Sequence, residues 1–163
     1  MKKTIVLTLI VCALLVLDNT LIPMIGIKNY YPSLLFTFVC IFSIINGPID
    51  AAILGSVSGL LQDVYFFNGF GINAFANLII CVLAAKLGEN IFKEKALIPV
   101  GATFFFSALK GISLYCILYI LGEFTSIPAI LYTSIYNMVV AILMYRLVYK
   151  LSIKQYMKRE WKF

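Results

Sequence analysis

The chain has 163 residues, 63% of them hydrophobic and 12% charged, and its mean hydropathy is +1.01. A soluble domain is nearer half apolar and a quarter charged, so this composition excludes a water-soluble globule and leaves one compact membrane domain. Histidine is absent, which removes the commonest metal ligand and neutral-pH base, and the formal charge of +6 follows membrane boundaries rather than a nucleic-acid-binding patch.

The first apolar run covers residues 4–22, behind Lys2 and Lys3. It resembles a secretory signal in its basic start, but it leads into Leu17-Asp18-Asn19-Thr20 without a small-x-small cleavage site. A retained first span is therefore expected. After a short polar loop, Pro32 opens a second run, 32–46, closed by Asn46-Gly47-Pro48. Proline suits the first helical turn and Gly-Pro a tight reversal. This run is short for a hydrocarbon core of about 30 Å, so it is either a full span extended by Tyr30 and Tyr31 or a partly re-entrant one.

The third span is expected over 49–67, with a glycine-rich turn at Asn68-Gly69-Phe70-Gly71, and the fourth over 72–87. A charged loop precedes the fifth span, 96–121, and Pro128 starts the sixth, 128–149. Residues 150–163 form a basic cytoplasmic tail, either an interfacial amphipathic segment on anionic lipid or a topology signal alone. The predicted fold class is thus all-α, a polytopic membrane bundle of six transmembrane helices.

Charge placement tests the count. With six spans and both termini cytoplasmic, the inner side holds Lys2, Lys3, Lys86, Lys93, Lys95, Arg146, Lys150, Lys154, Lys158, Arg159 and Lys162. Only Lys28 falls outside, and Lys110 lies within a span. Five spans would put one basic end on the wrong side, against the positive-inside rule.

Polar residues within the spans are few, and each is a candidate functional residue. Gly47, Ala51, Gly55, Gly59 and Asp63 follow one another at i, i+4 and make one small-residue stripe on the third span. Such a stripe admits a close helix, either inside the bundle or from a protein partner. Asp63 and Lys110 each lie thirteen residues, roughly 20 Å, from the inner end of their spans. They are expected to pair or to share a hydrated pocket, unless Lys110 meets another chain. Asp18 and Asp50 lie near span ends, where both can reach water. Asn73, Asn77 and Asn137 are expected to bond across helices. The four cysteines, Cys12, Cys40, Cys81 and Cys116, lie singly and are read as small buried hydrophobes without disulfide or metal. No nucleophile stands beside a base and no carboxylates form a paired site, so no catalytic residue is assigned.

Gly55-Ser56-Val57-Ser58-Gly59-Leu60-Leu61-Gln62-Asp63, followed by Gly71-Ile72-Asn73-Ala74, resembles the signature stretch of the rod shape-determining protein MreD family. That stretch reads roughly G-x-x-x-G-L-x-x-D, then G-x-x-A on the next helix. Pro32-Ser33-Leu34-Leu35, and Pro128 followed by Asn137, also look like the family's second and last spans. Ser33 departs from it, since an acidic residue often follows that proline, and no partner contact is inferred there. The resemblance implies a non-enzymatic scaffold of the bacterial inner membrane without a cofactor. It would act in lateral peptidoglycan synthesis with MreC, RodA and its penicillin-binding transpeptidase, and indirectly with the MreB cytoskeleton. The family also resembles in fold the substrate-binding components of energy-coupling factor vitamin transporters, which gives the alternative function. Those proteins often carry A-x-x-x-A in the first span, whereas residues 4–22 contain only Ala13.

Overall fold

The computed structural model describes residues 2–26, 30–65, 71–91, 96–122, 126–154 and 157. Among them the chain is all helical: α1 (Lys2–Thr20), the single turn α2 (Ile22–Ile25), α3 (Leu34–Asn46), α4 (Pro48–Tyr65), α5 (Ile72–Glu89), α6 (Leu97–Ile120) and α7 (Ile127–Ile153). Four segments are long and apolar enough to cross a membrane: Lys2–Met24, α5, α6 and α7. α3 has 13 residues, and α4 carries Asp50, Gln62 and Asp63 within its 18. Residues 66–70, which include most of the turn expected at 68–71, residues 92–95 of the charged loop expected before the fifth span, and most of the tail lie outside the described residues. α7 continues past residue 149 to Ile153, so the first residues expected in the tail are helical.

α3 is the centre of the bundle and touches α1, α4, α5, α6 and α7. Its ten residues from Leu35 to Ile44 are all buried, and the sequence is apolar around the full circumference. A helix of that kind belongs inside a protein rather than at a polar boundary. Around it stand two helical hairpins, α4–α5 and α6–α7. α1 is peripheral and buries only Leu7, Val11 and Leu15, one stripe at i, i+4. Apolar burial against α1 adds little in lipid, because lipid tails are as apolar as its leucines. Polar contacts at its two ends hold it instead. Lys3 Nζ pairs with Asp50 Oδ2 at 2.6 Å, and Asp18 bonds to the start of α3.

α4 packs closely on α5. A Cβ added at Gly59 would lie 2.5 Å from the Asn73 carbonyl oxygen and 2.6 Å from the Ala74 nitrogen. At Gly55 it would lie 2.9 Å from the Asn77 carbonyl oxygen. The stripe of Ala51, Gly55, Gly59 and Asp63 therefore faces into the bundle, while Ile53, Val57 and Val64 face outward. Gly47 stands in the α3–α4 turn at φ +100°, with open space where a side chain would be. Of the cysteines, Cys40 and Cys81 are buried, but Cys12 and Cys116 are exposed and all four are free. The expectation of burial is corrected for Cys12 and Cys116: in a membrane chain an apolar stretch also supplies the outward face.

The six basic residues described in α1, α5 and α7 or just beyond them (Lys2, Lys3, Lys86, Arg146, Lys150 and Lys154) gather at one end of the bundle. That end is marked by the Lys3–Asp50 pair and by the bond from Asn46 Nδ2 to Ser152 Oγ at 2.8 Å. Replacing Gly59 by leucine is expected to force α4 off α5 and destabilise the bundle by about 2 kcal/mol, within the usual cost of overpacking. Thermal unfolding of the detergent-purified variant checks this; an unchanged midpoint would contradict the close α4–α5 contact.

Candidate functional site

At the end opposite the basic residues, side chains from six helices or their N-terminal caps meet in one hydrogen-bonded network. It begins with α1. Asp18 Oδ1 accepts from Leu34 N–H at 2.7 Å, and its Oδ2 accepts from Leu35 N–H at 3.0 Å and Ser33 Oγ at 3.1 Å. Ser33 caps its own helix as well, its Oγ accepting from Phe36 N–H at 3.2 Å. The free N–H groups opening α3 are thus met by a carboxylate from another helix and a hydroxyl from the cap position.

Asp63 does the same for α5. Its two oxygens accept from the backbone N–H groups of Gly71, Asn73 and Ala74 at 2.9 to 3.0 Å. Gly71 is required here because the chain turns into α5 at φ +99°, a left-handed conformation that a side chain disfavours. The two halves of the signature stretch are therefore one structural device: the carboxylate ending the α4 stripe receives the helix that begins at the Gly71 turn.

Between the two carboxylates lies Gln62. Its Nε2 donates to Ser33 Oγ at 3.2 Å, and its Oε1 accepts from Asn77 Nδ2 at 3.0 Å and Lys110 Nζ at 2.9 Å. Asn77 Nδ2 also reaches Ser58 Oγ at 3.4 Å, while its Oδ1 is buried and meets no hydrogen-bond donor among the described residues. Ser33 N–H donates to Asn137 Oδ1 at 2.8 Å, and Asn137 Nδ2 donates to Ser107 Oγ at 2.6 Å, tying in α7 and α6. Lys110 Nζ lies over the Phe36 ring, 4.6 Å from its centroid. Amide and hydroxyl bonds of this kind contribute about 0.6 kcal/mol each between membrane helices, but together they set the rotation of every helix they join.

The structure brings Asp18, Asn77, Lys110 and Asn137 into this network and places Asp63 beside it. Asn73 takes part through its backbone N–H. Asp63 and Lys110 do not form an ion pair. Lys110 binds Gln62, whereas the Asp63 oxygens are taken up by α5, because neighbouring side chains on a helix point about 100° apart. Asp50, expected to reach water, pairs with Lys3. Gln62 and Ser33 were not singled out as site residues in the sequence. The available signal was Gln62 itself, an amide four residues after Ser58 on the stripe-bearing helix.

Two adjoining cavities border the network. One, about 490 Å³, is lined by Asp18, Asn19, Gln62, Asn73 and Lys110 among others. The second, about 250 Å³, lies mainly between α6 and α7 and is largely apolar. Lys110 and Ser33 border both.

Asp63→Ala is expected to leave three helix-start N–H groups without an acceptor and to cost about 2 kcal/mol. Asp63→Asn, which keeps one acceptor oxygen, is expected to lose less. Denaturant titration in detergent, following helical circular dichroism, compares the two; equal losses would contradict the capping role.

The family model for the rod shape-determining protein MreD matches residues 1–155. No curated protein and no solved structure matches the chain. With nearly the whole chain matched and the signature carboxylate and glycine joined across α4 and α5, the chain belongs to the MreD family of rod shape-determining membrane proteins.

Proposed function

We propose that the chain is a non-enzymatic membrane scaffold of the bacterial elongation machinery, organising lateral peptidoglycan synthesis with MreC, RodA and its transpeptidase. The MreB cytoskeleton is engaged indirectly. The single observation that carries this is the family match over residues 1–155. The geometry is compatible with it in kind. The interior polar groups hold helices to one another, and long apolar faces on α4 and α7 point outward, among them Ile53, Val57, Ile142 and Leu147. Such faces suit lipid and the transmembrane helices of partners.

The proposed topology is six spans in the inner membrane with both termini cytoplasmic, residues 1–149 forming the membrane domain and 150–163 the basic tail. Gathering of the described basic residues at one end of the bundle supports it, since cytoplasmic boundaries carry the excess of Lys and Arg. A fold like that of the substrate-binding components of energy-coupling factor transporters is part of the same proposal. α3, too short to span about 30 Å alone, reaches its depth within the bundle.

Affinity purification from native membranes is expected to recover MreC with the tagged chain, and depletion is expected to turn rods into spheres. Unchanged cell shape on depletion would overturn the scaffold reading. Tight binding of riboflavin, thiamin or biotin by the purified protein, with no MreC recovered, would favour the transporter alternative. For the topology, a green fluorescent protein fused at the C-terminus is expected to fluoresce and an alkaline phosphatase fused there to be inactive. The reverse pattern would refute a cytoplasmic C-terminus.

A further inference from the structure

Lys110 carries an ammonium that no carboxylate contacts directly among the described residues. It is 9% exposed. Its ammonium has three hydrogens to place. One is directed to Gln62 Oε1 at 2.9 Å, and the group also rests on the Phe36 ring. Asp18 and Asp63 lie in the same region, but each already accepts three hydrogen bonds. Most of those bonds come from helix N-termini, which carry roughly half a positive charge. The two carboxylates are thereby hydrogen-bonded to the starts of α3 and α5, and the ammonium forms a direct ion pair with neither. A buried ammonium without a directly paired counter-charge is costly, and a protein with only a packing need there would do better with an apolar side chain.

The space around Lys110 supplies a reason for that cost. Lys110 stands where the two cavities meet, one carrying the polar groups of Asp18, Asn19, Gln62 and Asn73 and the other running between α6 and α7 past Ile130, with Leu114 and Leu118 bordering both. The larger, about 490 Å³, is in the range of small-molecule sites, and the other, about 250 Å³, adjoins it. A charged head at Lys110 with an apolar body toward α6–α7 would meet complementary surfaces in both. Asp18 also borders the polar cavity, but its oxygens are turned to the start of α3.

We propose that this double cavity binds an amphiphile with an anionic oxygen head, phosphate or carboxylate, held by Lys110, with its apolar part between α6 and α7. The head chemistry is shared by an anionic membrane lipid and by a free small amphiphile, and the two are separable by experiment. The site is independent of the scaffold reading, which stands or falls with MreC recovery and cell shape.

The test uses the full chain in detergent, with hexyl phosphate and phosphatidylglycerol as separate probes and phosphatidylcholine as the uncharged-head comparison. Binding is read by native mass spectrometry and by the shift in thermal midpoint. Lys110→Met removes the charge at similar length. Ala129→Trp, at a half-buried position in the first turn of α7 that borders both cavities, places a bulky ring in them away from the Lys110–Gln62 contact. Lys86→Met at the basic end is the control. Wild type and K86M are expected to bind at least one anionic probe, with affinity falling tenfold or more in K110M and in A129W. Binding of hexyl phosphate identifies a free amphiphile as a sufficient ligand, and binding of phosphatidylglycerol alone identifies a lipid. Circular dichroism and monodispersity establish that each variant is folded; if K110M does not fold, A129W decides. Equal affinity in wild type and the folded cavity variants, equal binding of phosphatidylcholine, or no binding at all would overturn the proposal.

Discussion

The carboxylate of Asp18 on the start of α3 is the contact from which the rest of the bundle follows. α3 has 13 residues and is about 20 Å long at 1.5 Å per residue, against a hydrocarbon core of about 30 Å. Its ends cannot both reach water, and free backbone N–H groups at membrane depth cost several kcal/mol each. Asp18 and Ser33 supply the acceptors, so a helix too short to span the membrane alone becomes the buried axis on which five others pack. Asp63 repeats the solution at α5, where Gly71 lets the chain enter the helix directly below the carboxylate.

Both devices depend on charge being used for backbone groups rather than for an opposite side chain. The α4 helix tolerates its polar content because each of these groups has a partner: Asp50 meets Lys3, Gln62 meets three side chains, and Asp63 meets the backbone of α5. Partnering of this kind also accounts for the position of α1. That helix buries one narrow stripe, and in lipid such burial contributes little to association. An ion pair at one end and a capping carboxylate at the other fix it without an extensive interface, and its remaining surface is left outward.

The same economy shapes what the molecule offers to others. A membrane bundle presents its surface through the rotation of each helix, and a network linking Ser33, Gln62, Asn77, Lys110 and Asn137 defines that rotation across the bundle. Gly55 and Gly59 bring α4 onto α5 closely enough for Asn77 to meet Ser58 and Gln62. That rotation also sets which apolar faces point outward from the bundle.

Much of this could be read from the residues alone. Hydropathy marked the helical runs within a few residues, from the first at 4–22 to the last at 128–149, because lipid requires long apolar stretches and basic loops between them. The Gly55–Asp63 and Gly71–Ala74 stretches carried the family resemblance. Tertiary structure alone decided which polar atom meets which. Asp63 and Lys110 have the matching depth that suggested a pair, yet Gln62, one residue away, takes the lysine and α5 takes the aspartate. Depth along a helix follows from counting residues, but partners depend on rotation about the axis, and one residue turns a side chain by about 100°. That rotation is settled by the packing of all the helices together, which no single stretch of sequence contains.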